Sequence, residues 1–187
     1  MRLGIMSDTH GNIGTMQSVA DRMLHEFHVD SIIHLGDDMK DTELLNTDGK
    51  KLYAVPGMYE DAWNDKNVQH RMIKEFDGVT FLISHTSTRD SHDRKGDMNP
   101  ERARSKFKAD VLLHGHTHRH RAVESADDGL IVINPGHLKD AHDRNSPASF
   151  AIIDVNKGNL SVKFIGLDNT LLGEEFFDLK EASIRNE

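Results

Sequence analysis

The chain has 187 residues, of which 36% are hydrophobic and 29% charged, and it contains no cysteine. This balance is typical of a globular protein with a sizeable core, and it excludes disulfides, thiolate metal ligands and cysteine nucleophiles. The formal net charge of −8 disfavours non-specific binding to nucleic acid, which requires a cationic surface. The 13 histidines are unusual, and their positions need an explanation.

No apolar run approaches the roughly 18 residues that a membrane-spanning helix needs. The opening MRLGIMSDTHG places polar residues where the apolar region of a signal peptide would lie. We therefore expect a cytoplasmic protein without a membrane partner.

Short apolar runs alternate with amphipathic segments in the first half of the chain. Apolar residues recur at helical spacing over residues 13–27. Strands interleaved with helices indicate βαβ units and a mostly parallel sheet. The predicted strands are 2–6, 31–35 and 51–55, with a short helix possible at 42–46.

The second half of the chain predicts a second sheet. Residues 79–84 and 111–114 have the composition of strands, and they are joined by a polar loop at 85–97 and a helix near 100–107. A loop of this length after a strand could act as a substrate lid. Further strands with intervening turns indicate an antiparallel meander: 121–125, 130–134, 149–155, 160–167 and 175–179. The simplest arrangement is two sheets face to face with helices outside, in a single domain over 1–187.

Acidic residues and histidines follow several of these strands directly. Singly, each has an ordinary explanation as a turn residue, a helix cap or a packed histidine. Together they mark the C-terminal strand ends, the edge where open α/β sheets place their ligands. The residues are Asp8, His10, Asp37, His85, His116 and His118.

This residue set has the chemistry of a metal centre. Carboxylates and imidazoles without sulfur suit Mn²⁺, Fe or Zn²⁺ rather than Ca²⁺. Asp37 could bridge two ions, because its two oxygens offer about four lone-pair sites. Six ligands with a bridging carboxylate suffice for two ions about 3.5–4 Å apart, an arrangement used to hydrolyse phosphate esters. The sequence therefore predicts a dinuclear metal centre.

The ordered motifs Asp-x-His, Gly-Asp, His and Gly-His-x-His resemble those of the calcineurin-like metallophosphoesterases. The segments SDTHG and HLGDD are most similar to the small prokaryotic phosphodiesterase branch, which is also related to a retromer scaffold subunit. The match runs from residue 1 to about residue 155 and includes Asn134-Pro135-Gly136. The resemblance implies an α/β fold, a four-layer α/β/β/α sandwich of two mixed sheets flanked by helices.

The resemblance also implies how two divalent ions would be held. Mn²⁺ is the first expectation, with Fe, Zn²⁺ or Ni²⁺ as alternatives. One ion would take Asp8, His10 and His118. The other would take His85 and His116, and Asp37 would bridge the two.

The turn Gly57-Met58-Tyr59-Glu60 departs from the family pattern. The family usually has Gly-Asn here, and that asparagine binds the second ion, whereas Met58 offers only a soft thioether. Three outcomes are open: a weaker second ion with a water in the missing position, an oxygen supplied by Glu60 or Asp61, or a mononuclear site. Tyr59 stands where many relatives have a histidine that assists catalysis, so it is a candidate catalytic residue, with a packed tyrosine as the alternative.

The implied activity is hydrolysis of a small phosphate ester, a diester rather than a monoester, by a hydroxide that bridges the ions. Substrate contacts are expected from Asn12, Arg89 and His137, and a homo-oligomer is possible. The alternatives are a phosphomonoesterase or nucleotidase of the same superfamily, and a non-catalytic scaffold module with a degenerate second metal site. His25, His28 and His70 are expected on helix surfaces.

Overall fold

A computed structural model describes residues 1–156 and 158–179 of the chain. The strands are β1 (Arg2–Met6), β2 (Ser31–His34), β3 (Lys51–Ala54), β4 (Arg71–Phe76), β5 (Val79–Ser84), β6 (Val111–Leu113), β7 (Arg121–Glu124), β8 (Ile131–Asn134), β9 (His142–Asp143), β10 (Ser146–Pro147), β11 (Ser149–Asn156), β12 (Asn159–Gly166) and β13 (Leu171–Asp178). The α-helices are α1 (Ile13–His25), α2 (Asp61–Asn64) and α3 (Ala103–Phe107). Two 3₁₀ turns occupy Met39–Leu44 and Pro100–Arg102.

The strands form two large mixed sheets and one small hairpin. The first sheet has the order β13-β12-β11-β1-β2-β3, in which β1, β2 and β3 are parallel and β11, β12 and β13 form an antiparallel meander. The second has the order β4-β5-β6-β8-β7, with a parallel centre and antiparallel edges. The hairpin joins β9 to β10. Two mixed sheets confirm the predicted fold class.

Both faces of the first sheet are covered, which explains why its central strands are apolar throughout. Ile33 and Ile153 point into the core between the two sheets, whereas their neighbours Ile32 and Ile152 pack beneath α1. The apolar stripe of α1 closes that outer face with Met16, Val19, Ala20, Met23 and Leu24.

The second sheet follows the same pattern. Ile83 and Leu113 face the core between the sheets, while Leu82 and Leu112 pack outward in a cluster with Ala103 of α3. The layers therefore run from α1 through the two sheets to α3. This order confirms the predicted four-layer α/β/β/α arrangement.

Several local predictions need correction. The sequence interpretation missed β4, α2 and the β9–β10 hairpin. The helix proposed at 42–46 is a 3₁₀ turn at Met39–Leu44, and the last strand begins four residues earlier than predicted, at Leu171 rather than at residue 175. His25 does lie exposed on α1, but His28 lies beyond the end of that helix. His70 is buried just before β4, so its placement on a helix surface was wrong.

The described residues include no helix with the length and apolar character needed to cross a membrane.

Phe150 provides a test of the packing between α1 and the first sheet. Its ring is fully buried, lies edge-on to Phe27 with centroids 5.8 Å apart, and has the Arg22 guanidinium 4.8 Å from its centre. We expect Phe150→Ala to lower the free energy of unfolding by about 3–5 kcal/mol because it leaves a cavity. Phe176→Ala is the matched control, since Phe176 is 72% exposed. Denaturant unfolding that shows equal losses for both variants would contradict this packing.

Candidate metal centre

The six predicted metal ligands come together at the C-terminal ends of four strands. Asp8 and His10 follow β1, Asp37 follows β2, His85 follows β5, and the two remaining histidines follow β6. Their side-chain atoms form two groups, and in each group the atoms lie within 4.8 Å of one another. Group 1 consists of Asp8, His10, Asp37 and His118, and group 2 of Asp37, His85 and His116. Asp37 is shared.

Group 1 converges on the Nε2 atom of His118. This atom lies 3.1 Å from Oδ1 of Asp8 and 3.2 Å from Nε2 of His10. The other ring nitrogen of His118, Nδ1, donates to the carboxylate of Asp143. Because an ionised carboxylate only accepts hydrogen bonds, Nδ1 carries a proton, and Nε2 is the ring nitrogen that faces the group.

Group 2 contains a buried nitrogen without a hydrogen-bond partner. Nδ1 of His85 donates to the carbonyl oxygen of Leu35 at 2.7 Å. Nε2 of the same ring is buried, makes no hydrogen bond, and lies 3.4 Å from Oδ1 of Asp37. A buried acceptor of this kind is costly unless something satisfies it. A divalent cation between these atoms fits both the orphan nitrogen and the carboxylate.

The carboxylate of Asp37 faces both groups. Its Oδ2 lies 3.4 Å from Nε2 of His10 in group 1, and its Oδ1 faces His85 in group 2. This is the orientation that a bridging ligand requires.

The backbone at the candidate ligands is unusual. Five of the six have φ values between 50° and 65°: Asp8, His10, Asp37, His116 and His118. The left-handed region costs a residue with a Cβ atom about 1–2 kcal/mol. Such conformations persist where surrounding contacts hold them, and they cluster at functional sites.

Hydrogen bonds between the loops hold this backbone in place. The amide of Asp8 donates to Gly36 O at 2.8 Å, and the amide of Thr9 donates to Asp37 O at 3.0 Å. The amide of His116 donates to both carboxylate oxygens of Asp8, at 3.0 and 3.1 Å. The loops after β1, β2 and β6 therefore fix one another.

Two glycines allow the loops to approach this closely. A Cβ atom on Gly57 would lie 1.9 Å from Oδ1 of Asp37. A Cβ atom on Gly115 would lie 2.0 Å from Oγ of Ser7 and 2.6 Å from Oδ2 of Asp8. A side chain at either position would displace a candidate ligand.

The two carboxylates of the cluster have opposite pKa shifts. Burial acts to raise the pKa of Asp8, but the hydrogen bond with His118 and the nearby His85 outweigh it and hold this pKa below its usual range. Burial, assisted by the charge of Asp8, raises the pKa of Asp37. The charge of Asp8 therefore disfavours ionisation of Asp37, and a cation at the cluster would relieve that repulsion.

The turn that departs from the family pattern lies beside Asp37. Met58 is buried, with 5% of its surface exposed. The carboxylate of Glu60 accepts hydrogen bonds from the backbone amides of Gly57 and Met39, and it thereby ties this turn to the loop after β2. Among the described residues, neither Glu60 nor Asp61 belongs to a ligand group, so group 2 has three side chains.

The predicted catalytic residue Tyr59 and the predicted substrate contacts have different environments. Tyr59 is 77% exposed, and its ring centroid lies 5.5 Å from that of His92 in the predicted lid. Arg89 is exposed in the same loop. Nδ2 of Asn12 donates to two backbone carbonyls in the loop after β8, so its amide nitrogen is already engaged. His137 is fully buried, and its Nδ1 makes no hydrogen bond.

The predicted lid is anchored by a buried polar network. Arg71 of β4 donates to Asp93 at 2.8 Å, and both side chains are buried. His70 bonds Asp97 at 2.8 Å and stacks on Trp63 with ring centroids 3.5 Å apart. His70, Asp93 and Asp97 are close enough to hold an ion, but Arg71 already neutralises Asp93, so we assign no metal to them.

Asp143 is the neighbour of the cluster that the sequence interpretation missed. It lies in the hairpin strand β9, 25 residues from the histidine that it contacts. The local sequence signal is limited to the turn-forming Arg144-Asn145 that follows it.

The fold and the two ligand groups define an α/β/β/α protein with a candidate dinuclear metal centre. The profile of the calcineurin-like phosphoesterase superfamily domain matches residues 1–158. The chain belongs to this family.

A sequence relative agrees with this assignment, and solved structures share the fold. The chain is 30% identical over 151 residues to a phosphodiesterase of Methanocaldococcus jannaschii, covering 73% of this chain and 83% of that protein. The fold superposes on a predicted phosphoesterase from Streptococcus pneumoniae with a TM-score of 0.69 at 18% identity, covering 95% and 97% of the two chains. It also superposes on Vps29 complexed with zinc from Entamoeba histolytica, with a TM-score of 0.67 at 17% identity, covering 96% and 99%.

His34 lies beneath the cluster and makes the fold sensitive to acid. The Gly36 amide donates to its Nδ1 at 3.3 Å, so its Nε2 carries the proton and donates to Oγ1 of Thr9 at 2.7 Å. Burial lowers the pKa of His34 to about 4. An unfolded histidine has a pKa of about 6.5. The unfolded state therefore binds more protons between these values, and stability is lost as the pH falls below about 6.5.

We expect His34→Gln to reduce this acid sensitivity in metal-free protein. The stability difference between wild type and variant is expected to shrink by about 2 kcal/mol between pH 7.5 and pH 5, because only wild type loses the contribution of one neutral histidine. Denaturant unfolding with chelator at both pH values measures it. Identical pH dependence for the two proteins would show that His34 does not carry the effect.

Proposed function

We propose that this protein hydrolyses phosphodiesters with two divalent metal ions held by the six clustered side chains. The observation that carries the proposal is the pair of ligand groups sharing Asp37, with the buried Nε2 of His85 lacking a partner. Family membership supports a phosphoesterase activity. The phosphodiesterase from M. jannaschii supports a diester rather than a monoester.

The ligand assignment follows from the two groups. Asp8, His10 and His118 would hold one ion, His85 and His116 the other, and Asp37 would bridge them. Mn²⁺ is the first candidate, with Zn²⁺, Fe and Ni²⁺ as alternatives, since carboxylate and imidazole ligands accept all of them. When bound, such ions supply Lewis acidity to the phosphoryl oxygens and lower the pKa of a water that becomes the nucleophile.

The chain contributes preorganisation to this chemistry. The bonded loops hold the ligands in conformations that an isolated chain disfavours, so little rearrangement is needed when substrate binds. Tyr59 is exposed two residues after Gly57, whose Cα lies against Asp37. We assign to its hydroxyl a hydrogen bond to a phosphate oxygen, with Arg89 of the predicted lid as a further contact.

The first test combines metal loading with substrate choice. We expect bis(p-nitrophenyl) phosphate to be hydrolysed with Mn²⁺ and not after treatment with chelator. Asp37→Asn is expected to reduce the rate by more than the roughly 10–100-fold typical of losing an outer partner of a metal ligand. Asp21→Asn, on the exposed face of α1, is the control that leaves the rate unchanged.

Two results would overturn the proposal in different ways. A folded, metal-loaded protein that hydrolyses neither diesters nor monoesters with any divalent ion would overturn the enzymatic function. Turnover of p-nitrophenyl phosphate alone would overturn the diester assignment and favour a phosphomonoesterase.

The second test addresses Met58. We expect Met58→Asn to bind the second ion about tenfold more tightly, equivalent to about 1.4 kcal/mol, because an amide oxygen replaces a soft thioether beside group 2. Stepwise metal binding by calorimetry measures this change. Met58→Leu is the control for size and burial. If the asparagine and leucine variants bind the second ion equally, residue 58 does not limit that position.

A further inference from the structure

The β9–β10 hairpin packs against the loop that carries His116 and His118. Its strands pair Asp143 with Ser146, and the two residues between them, Arg144 and Asn145, have φ values of 50° and 61°. Two central residues in the left-handed region are typical of a tight type I′ hairpin turn. The turn therefore sets the positions of Asp143 and Arg144 relative to the hairpin backbone.

Both of these residues bond to the ligand loop. The Asp143 carboxylate accepts the hydrogen bond from Nδ1 of His118, and Nη1 of Arg144 donates to the backbone oxygen of His116 at 2.9 Å. Lys139 lies 3.7 Å from the other oxygen of Asp143. The hairpin thus contacts the ligand loop through the side chain of His118 and through the backbone oxygen of His116.

His118 is also held across its ring face. The ring of His137 lies nearly parallel to it, with centroids 5.3 Å apart and an interplanar angle of 30°. Both histidines are buried, and Nε2 of His137 in turn bonds Ser146 O of the hairpin at 3.2 Å. The edge and one face of the His118 ring are therefore fixed by residues of the segment 137–146.

We infer that Asp143 is a positioning residue for His118, and that it holds this ring with Nε2 directed into group 1. The inference deepens the proposed function, because it concerns the same metal centre. Without the carboxylate, the ring could carry its proton on either nitrogen, and the tautomer with a proton on Nε2 cannot bind a metal ion. Loss of an outer carboxylate partner typically weakens metal affinity by about 10–100-fold.

Three variants distinguish the effect of the Asp143 carboxylate from the effect of a charge change elsewhere in the same segment. Asp143→Ala removes the acceptor, whereas Asp143→Asn keeps an acceptor oxygen and removes the charge. Asp140→Asn, at an exposed position of the same segment, is the matched control. The Asp143 side chain is 21% exposed and the hairpin backbone pairs without it, so we expect all three variants to fold.

The first readout is the tautomer of His118 in metal-free protein, measured by ¹H–¹⁵N NMR with the signal assigned from a His118→Gln sample. We expect Nδ1 to carry a proton in wild type and in Asp140→Asn, and to lose it in a fraction of the molecules of Asp143→Ala. The second readout is stepwise binding of Mn²⁺ by calorimetry. The first binding step is expected to weaken by about 10–100-fold in Asp143→Ala and by less in Asp143→Asn.

An unchanged tautomer and unchanged affinity in Asp143→Ala would overturn the inference. A lower melting temperature with unchanged tautomer and affinity would assign Asp143 a purely structural role, which also overturns it. Failure of the proposed function looks different. In that case wild type shows no turnover, while the tautomer and the affinity still depend on Asp143.

Discussion

The single carboxylate of Asp37 belongs to both groups of candidate ligands, and this shared position constrains the surrounding loops. Its oxygens face His10 on one side and His85 on the other, each at 3.4 Å. Its own carbonyl accepts the amide of Thr9, which ties the loop after β2 to the loop after β1. The loop after β3 must present Gly57, because any Cβ atom there would overlap the carboxylate. The parallel order β1-β2-β3 makes this convergence possible, since it brings three strand ends to one edge.

The strain around Asp37 indicates that this edge is optimised for binding rather than for stability. Five candidate ligands with left-handed backbone cost about 5–10 kcal/mol together, at about 1–2 kcal/mol each. That total is comparable to the whole stability of a typical domain, about 5–15 kcal/mol. Hydrogen bonds between the loops offset part of it. An ion that binds only the folded state would offset more, because such binding shifts the folding equilibrium.

The sequence predicted most of the fold and of the candidate site because both have local signals. Apolar runs mark the strands, and polar residues directly after them mark the sheet edge that carries Asp8 and His118. β4 was missed for a physical reason: Arg71 in this strand is buried, and its charge is compensated by Asp93, 22 residues away. A buried ion pair between distant segments has no periodicity in either of them. Asp143 was missed for the same reason, since it lies 25 residues from His118 in the sequence and contacts it only in the folded chain.

The two ligand groups differ in the hydrogen-bond partners of their histidines and in the number of ligand side chains. In group 1, Nδ1 of His118 donates to a carboxylate, which raises the basicity of the ring. In group 2, Nδ1 of His85 donates to a neutral carbonyl, and the turn with Met58 contributes no ligand atom among the described residues. An ion in group 1 would also lower the repulsion between Asp8 and Asp37, and this favours an ionised Asp37 for the second ion. On the proposed two-ion assignment, occupancy of the second position would depend on the first, and Asp37 would be the residue that couples them.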